Sequence, residues 1–155
     1  MFNKKDKPIV FIGSDHAGYE AKTALKSFIE SLGFAVTDLG AFDANPIDYP
    51  DVAREVGEKV LEHAKAGAMG VLICGTGIGM SMAANKLKGV RAALCTDENL
   101  AGMARQHNDA NVLAVGARTT DLELMKKITE KFLTTPFESE ERHVRRVEKM
   151  DKIEK

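Results

Sequence analysis

The 155-residue sequence lacks the features that mark several classes of protein. No apolar run is long enough to cross a bilayer. The first residues, MFNKKDKP, have no apolar segment of the kind a signal peptide needs. A net charge of only −1 argues against a global basic field that would hold nucleic acid or an anionic membrane. We therefore expect a cytoplasmic protein with no nucleic-acid or membrane partner.

Cysteine and histidine are too sparse to form a local framework. The two cysteines, Cys74 and Cys95, each lie in an apolar segment, which is typical of reduced thiols rather than of disulfides. The four histidines are scattered, and the sequence contains neither His-x-x-x-His nor Cys-x-x-Cys. The sequence therefore predicts no local metal motif, and we expect no metal and no cofactor.

Short apolar runs alternate with amphipathic stretches along the chain. The runs cover residues 9–13, 34–39, 69–74, 90–95 and 111–115, and the helical stretches include one at 79–88 and a polar tail at 138–155. This pattern predicts an α/β fold: a doubly wound three-layer sandwich with a five-stranded parallel sheet, order 2-1-3-4-5, and a C-terminal helical tail. We expect one domain over residues 1–155, with residues 1–7 flexible and the 138–155 tail helix at a subunit interface.

The segments that follow the first and third strands carry the richest chemistry. They read Gly-Ser-Asp-His-Ala-Gly at 13–18 and Cys-Gly-Thr-Gly-Ile-Gly-Met-Ser at 74–81. Open α/β sheets bind ligands beyond the carboxyl ends of their strands, at the point where the strand order reverses. Gly75, Gly77 and Gly79 let the backbone turn tightly and direct N–H groups inward, and the next helix adds its positive end. We interpret this loop as a binding site for a small oxyanion.

Two nucleotide-binding patterns fail in these segments. Met80 stands where Gly-x-Gly-x-x-Gly needs its third glycine, although Asp97 follows the next strand as a ribose-binding acid would. The glycine spacing of a P-loop occurs at 13–18, but no Lys-Ser or Lys-Thr follows it. A dinucleotide-dependent enzyme and a non-catalytic module that binds phosphosugar or nucleotide remain alternatives to an enzyme acting on a sugar phosphate.

Cys74 ends the third strand beside the predicted oxyanion site. Amide donors there would favour the reactive thiolate, whereas the alternative is an inert core cysteine. Asp15 and His16 face Cys74 across the switch point. Asp15 could instead cap the first helix, and His16 could bind a phosphate or transfer a proton. Cys95 has no such glycine segment, so we interpret it as structural.

His107 and Asn108 precede the fifth strand and should lie at the amino edge of the sheet, far from Cys74 within one subunit. They are either surface residues or contributors to a second subunit's pocket. Arg142 and Arg146 belong to a basic cluster in the tail. Such clusters are usually solvated, but guanidinium groups also suit phosphate recognition.

Five motifs together resemble the type B ribose-5-phosphate isomerases, a family that also contains galactose-6-phosphate isomerase subunits. The motifs are GSDHAG (13–18), DYP (48–50), ICGTGIGMSMAANK (73–86), RQHNDANVLAVGAR (105–118) and RHVRRVEKM (142–150). The resemblance implies a metal-independent enzyme of the pentose phosphate pathway that interconverts ribose 5-phosphate and ribulose 5-phosphate through an enediolate. It also implies a homodimer or homotetramer with active sites between subunits. A six-carbon substrate, allose 6-phosphate or galactose 6-phosphate, remains an alternative.

The resemblance also implies roles for individual residues. Cys74 corresponds to the base that takes the proton from C2, and the amides of residues 75–80 correspond to the site that holds the enediolate. The implied catalytic residues are Cys74, Thr76, His107 and Asp15, with Thr76 and the partner subunit's His107 opening the sugar ring. The implied substrate-binding residues are His16, Tyr49, Gly75, Gly77, Gly79, Ser81, Asn108, Arg142 and Arg146, and among these His16, Arg142 and Arg146 correspond to phosphate binders. We add Arg118 to the expected phosphate-binding residues.

Overall fold

Strands and helices alternate along residues 7–153, the part of the chain that the computed structural model describes. The strands are β1 (Val10–Ser14), β2 (Val36–Asp38), β3 (Met69–Cys74), β4 (Ala92–Leu94) and β5 (Val112–Gly116), and each adjacent pair is parallel. The helices are α1 (Tyr19–Ser31), α2 (Tyr49–Glu62), α3 (Ile78–Ala84), α4 (Glu98–Asn108), α5 (Leu122–Thr134) and α6 (Glu141–Asp151). The predicted α/β class and the five-stranded parallel sheet are confirmed. Within residues 7–153, no helix is long and apolar enough to cross a membrane.

The strand order is β2-β1-β3-β5-β4, so the predicted order 2-1-3-4-5 is wrong for the last two strands. Burial explains the exchange. All five residues of β5 are buried, whereas β4 has only three residues and all are half-buried. The fully apolar strand therefore takes the interior position beside β3, and the short strand becomes the edge.

This strand order also decides which face each helix covers. A right-handed crossover places its helix on one face when the chain moves one way along the sheet and on the other face when it moves back. The steps β1 to β2 and β4 to β5 run in one direction, which places α1 and α4 on the same face. There they form a core with α5 around Leu25, Ile29 and Phe132. Helices α2 and α3 cover the opposite face, with Val56 and Met80 at its centre.

Side-chain caps and long-range contacts set several helix ends. The Asp97 and Asp121 carboxylates accept hydrogen bonds from backbone N–H groups in the first turns of α4 and α5. Helix α3 was expected to reach about residue 88, but it ends at Ala84. The reason is tertiary, because the Asn85 side chain pairs with the backbone of Ala92 through hydrogen bonds of 2.8 and 2.9 Å.

The chain ends differ in extent from the predicted boundaries. Helix α6 covers Glu141–Asp151 within the predicted 138–155 tail and packs on α4. The predicted flexible segment 1–7 lies outside the described residues except for Lys7, which donates a hydrogen bond to the Leu32 carbonyl. The prediction of a single domain stays a prediction.

A buried lysine ties α1 to the loop after β2, and no sequence pattern indicated it. The Lys22 side chain is fully buried. Its Nζ lies 2.8 Å from the Asp38 carboxylate and also donates to the Ala41 carbonyl. Asp38 in turn accepts a hydrogen bond of 2.9 Å from the Gly40 N–H. The Ser14 N–H donates to the Gly40 carbonyl, so this cluster supports the carboxyl end of β1.

We expect Lys22→Met to destabilise the fold strongly. The substitution keeps the length of the side chain but leaves a largely buried carboxylate and a carbonyl without their cationic donor. Loss of one partner of a buried ion pair costs about 3–5 kcal/mol in the free energy of unfolding. Urea denaturation would measure the change. The control is Lys59→Met, because the Lys59–Glu62 ion pair has side chains 40% and 55% exposed and should matter little. Equal effects of the two substitutions would contradict this account.

Candidate active site

The turn between β3 and α3 accepts no side chain at its centre. Gly77 has φ +79°, in the left-handed region that favours glycine. A Cβ there would lie 2.6 Å from Leu94 Cδ1 and 2.9 Å from the carbonyl carbon of Val115. The loop after β3 is therefore seated directly against β4 and β5.

This seating orients an amide toward the Cys74 sulfur. The Gly77 N–H donates to Cys74 Sγ at 3.1 Å, and Cys74 is 5% exposed. The main chain around the sulfur is fixed from β5, because the Ala117 N–H donates to the Cys74 carbonyl at 2.8 Å. The sulfur and its amide donor are therefore held in fixed positions at the end of β3.

Cys95 lies in a different environment. It is 1% exposed, and burial raises the pKa of its thiol to about 11, with the Asp97 carboxylate adding to the shift. Its thiol therefore stays protonated at neutral pH, which agrees with the structural role expected for it.

Other polar groups also belong to the β3–α3 turn. The Thr76 hydroxyl is exposed and accepts a hydrogen bond of 3.2 Å from the Ile78 N–H. The Ser81 hydroxyl donates to the Ile78 carbonyl at 2.8 Å. The N–H groups of Gly79 and Met80 lie in the first turn of α3, where a helix offers them no carbonyl partner. The turn therefore presents several donors close together at the carboxyl edge.

Asp15 and His16 come from β1, the next strand along the sheet. The Asp15 N–H donates to the Ile73 carbonyl at 3.2 Å, which places Asp15 beside the end of β3. Its carboxylate accepts from the Gly18 N–H at 3.1 Å, so the capping role considered for it is present. His16 is exposed, and its Nδ1 accepts a 3.3 Å hydrogen bond from the Ile47 N–H.

Tyr49 and Arg118 extend the site on either side of the turn. A Cβ on Gly79 would lie 2.7 Å from Tyr49 Cζ, so the phenol ring packs directly on that glycine. A Cβ on Gly75 would lie 3.2 Å from Arg118 Nη1, which brings the guanidinium over the start of the turn. The arginine is at this position because β5, and not β4, is the neighbour of β3.

Four residues of the expected site lie elsewhere in the subunit. Helix α4 ends at Asn108, immediately before β5 begins, so His107 and Asn108 lie at the amino edge of the sheet. Arg142 and Arg146 are exposed on α6, which packs on α4, and Arg142 Nε lies 2.9 Å from the Glu140 carboxylate. The structure thus separates these four from Cys74, which the chain order led us to expect for His107 and Asn108; it made no such prediction for the two arginines.

A cleft of about 630 Å³ also lies away from Cys74. It is lined by residues of β4, of the segment before it and of the end of α6, with Arg91, Asn108 and Asp151 among them. Arg91 forms ion pairs of 3.2 and 3.1 Å with Asp109 and Asp151, which fasten α6 to the sheet. We assign the chemistry to the β3–α3 turn and not to this cleft, because the turn holds the Cys74 sulfur with an amide donor on it, whereas no cysteine lines the cleft.

The sequence profile of the Ribose/Galactose Isomerase family matches residues 10–150. The chain belongs to this family. It is 47% identical over 149 residues to a probable ribose-5-phosphate isomerase B of Mycoplasma genitalium, covering 94% of this chain and 95% of the relative. It is 42% identical over 148 residues to the ribose-5-phosphate isomerase B of Escherichia coli, covering 96% and 97%.

Solved structures agree with the family assignment. The type B ribose 5-phosphate isomerase of Trypanosoma brucei superposes with a TM-score of 0.89 at 42% identity, covering 94% of this chain and 97% of that one. A type B enzyme of Trypanosoma cruzi superposes with a TM-score of 0.87 at 49% identity, covering 92% and 95%. This member of the family is an isomerase.

We expect Gly77→Ala to lower both the stability and the activity of this isomerase, and Gly67→Ala to lower its stability alone. Both glycines have positive φ, which costs alanine about 1–2 kcal/mol. At Gly67 the nearest atom to an added Cβ is 3.7 Å away, whereas at Gly77 the Cβ would also meet the backbone of Val115. Gly77→Ala should therefore lose more stability in urea denaturation and most of its isomerase activity, while Gly67→Ala loses stability alone. Equal activity in the two variants would contradict the seating of the turn described above.

Proposed function

We propose that this isomerase interconverts ribose 5-phosphate and ribulose 5-phosphate through an enediolate, with Cys74 as the base. The observation that carries the proposal is the 3.1 Å hydrogen bond from the Gly77 N–H to Cys74 Sγ, in a turn at the carboxyl edge of the sheet. The relatives and the solved structures described above are named as ribose-5-phosphate isomerases, which favours a five-carbon substrate over a six-carbon one.

The chemical step follows from this arrangement. The Cys74 thiolate removes the proton from C2 of the open-chain aldose, and the C1–C2 double bond forms as the electrons of the carbonyl move onto O1. Fixed amide dipoles of residues 75–80 stabilise the negative oxygen without reorganising. The thiol then returns the proton to C1, and the proton of the C2 hydroxyl passes to O1 as the C2 carbonyl forms, so no oxidant or reductant is required.

Thr76 and His107 serve the ring-opening step as general acid and base. Asp15 binds sugar hydroxyls at the end of β1, and the exposed Tyr49 ring forms a wall of the pocket. Ser81 and the glycine amides contact the sugar, together with Asn108. The phosphate is bound by His16, Arg118, Arg142 and Arg146, since guanidinium groups match phosphate oxygens in geometry and charge.

The active site forms between two subunits of a homodimer, which pairs further if the protein is a tetramer. The support is geometric, because His107, Asn108, Arg142 and Arg146 lie at the edge opposite Cys74 within one chain. Residues Ile78 and Met82 are four apart on α3, beside the turn, and are 50% and 65% exposed. Exposed apolar side chains beside a functional turn are typical of a protein interface. The cytoplasmic location expected from the sequence stays a prediction.

Replacement of Cys74 should abolish turnover while binding persists. Loss of a positioned acid–base group typically lowers kcat by about 100-fold or more, so we expect Cys74→Ser and Cys74→Ala to fall at least that far with ribose 5-phosphate. Calorimetry should show that Cys74→Ser still binds the substrate. Cys95→Ala is the matched control and should keep its activity, because Cys95 takes no part in the site. Full activity in Cys74→Ala would remove the proposed mechanism.

A mixing experiment tests the shared site. Cys74→Ala and His107→Ala homodimers should each be inactive. After co-refolding from urea, half of the randomly formed dimers are mixed, and each mixed dimer has one site with both residues intact. The mixture should therefore recover about a quarter of the wild-type activity. No recovery, with mixed dimers verified by affinity tags, would contradict a site built from two subunits.

A further inference from the structure

Two histidines and a glutamate from separate segments meet where α6 packs on α4. His107 is in the last turn of α4, Glu138 precedes α6, and His143 is in the first turn of α6. Their candidate ligand atoms all lie within 4.8 Å of one another. His143 Nε2 is 3.9 Å from Glu138 Oε2, and the two imidazole rings are 4.6 Å apart at an interplanar angle of 12°.

One nitrogen of this cluster makes no hydrogen bond. His143 is 5% exposed, and its Nε2 is one of two buried side-chain polar atoms without a hydrogen bond among residues 7–153. Such atoms are rare in folded proteins because leaving them unsatisfied costs free energy. The unpaired nitrogen lies beside the Glu138 carboxylate and the His107 ring, which is the environment of a metal ligand.

Backbone contacts hold the three residues in place. The Glu138 N–H donates to the Gln106 carbonyl at 3.0 Å, which fastens the segment before α6 to the end of α4. The His143 N–H donates to the Glu140 carbonyl at 2.9 Å. The cluster is therefore built on hydrogen-bonded backbone and is not an accident of long surface side chains.

We propose that His107, Glu138 and His143 bind a zinc ion, with water as the fourth ligand. Two imidazoles and one carboxylate form a ligand set typical of zinc, whereas Mg²⁺ and Ca²⁺ prefer oxygen ligands alone. Tetrahedral zinc with bonds of about 2.1 Å holds its ligand atoms about 3.4 Å apart. The Glu138 side chain is 41% exposed, so its carboxylate can move the remaining ångström or so toward His143. The half-buried His107 ring would turn out of its stack on His143, because an imidazole binds a metal in the plane of its ring.

Zinc at this site would join α6 to α4. A ligand that binds only the folded state raises the melting temperature, and the rise grows with the logarithm of the ligand concentration above its Kd. The metal would also occupy a nitrogen of His107. If His107 opens the sugar ring, a point that rests on the proposed function, zinc inhibits the isomerase while leaving Cys74 untouched.

Calorimetry with Zn²⁺ on chelator-treated protein tests the site directly. We expect saturable binding of one ion per chain, no binding of Mg²⁺, and a visible absorption band from tetrahedral Co²⁺ as a second readout.

His143→Ala should weaken zinc binding by at least about 100-fold. Glu138→Gln, at a more exposed position that should not affect folding, should weaken it by about tenfold or more. Two matched controls, His63→Ala at an exposed histidine and Cys74→Ser at the other soft ligand, should bind zinc as the wild type does.

The proposal is overturned if the wild type shows no saturable binding. It is also overturned if Glu138→Gln and a folded His143→Ala bind as tightly as the His63→Ala control. Zinc binding that fails to slow turnover supports the metal site and contradicts the ring-opening role of His107, so failure of the inference and failure of the proposed function give different results.

Discussion

The position of the Cys74 sulfur depends on how closely the β3–α3 turn is seated against β5. The turn approaches so closely that an added Cβ on Gly77 would collide with Leu94 and Val115, and the same approach brings the Gly77 N–H to 3.1 Å from the sulfur. The turn and the strand are therefore one packing unit. A hydrogen bond to a buried sulfur is weak by itself, but here the main chain on both sides of it is fixed by sheet pairing, so the donor does not have to be ordered when substrate binds.

The strand order determines which chemistry that packing unit acquires. With β5 beside β3, the Arg118 N–H donates to the Gly75 carbonyl and its guanidinium lies over that glycine. With the order expected from the sequence, the loop after β4 would occupy this place, and its Asp97 would bring a negative charge to a site that must hold an enediolate and a phosphate. The exchange of two strands thus changes the sign of the charge at the mouth of the site.

The sequence correctly predicted those features of the fold that depend on a local residue pattern or on the order of elements along the chain. The five strands lie within two residues of their predicted bounds, and the rule that ligands bind at the carboxyl edge correctly grouped Cys74, Thr76, Asp15 and His16. The sequence did not predict features that depend on a contact between segments far apart in the chain. The end of α3 depends on Asn85 reaching Ala92, and the buried ammonium of Lys22 depends on the fold of a loop after another strand. No spacing along the chain shows that His107 and His143 meet.

A parallel sheet has two chemically different edges, and this chain places polar side chains at both. The carboxyl edge carries the sulfur and the amide donors, which need the precision of a packed turn. The amino edge carries His107, Asn108 and the helix with Arg142 and Arg146. A single subunit cannot bring the two groups together, because its own sheet separates them. Under the proposed roles, catalysis requires the association of two subunits. The amino edge that one subunit contributes to its partner's site must then be stabilised by contacts within its own chain, which here are the ion pairs of Arg91 and the packing of α6 on α4.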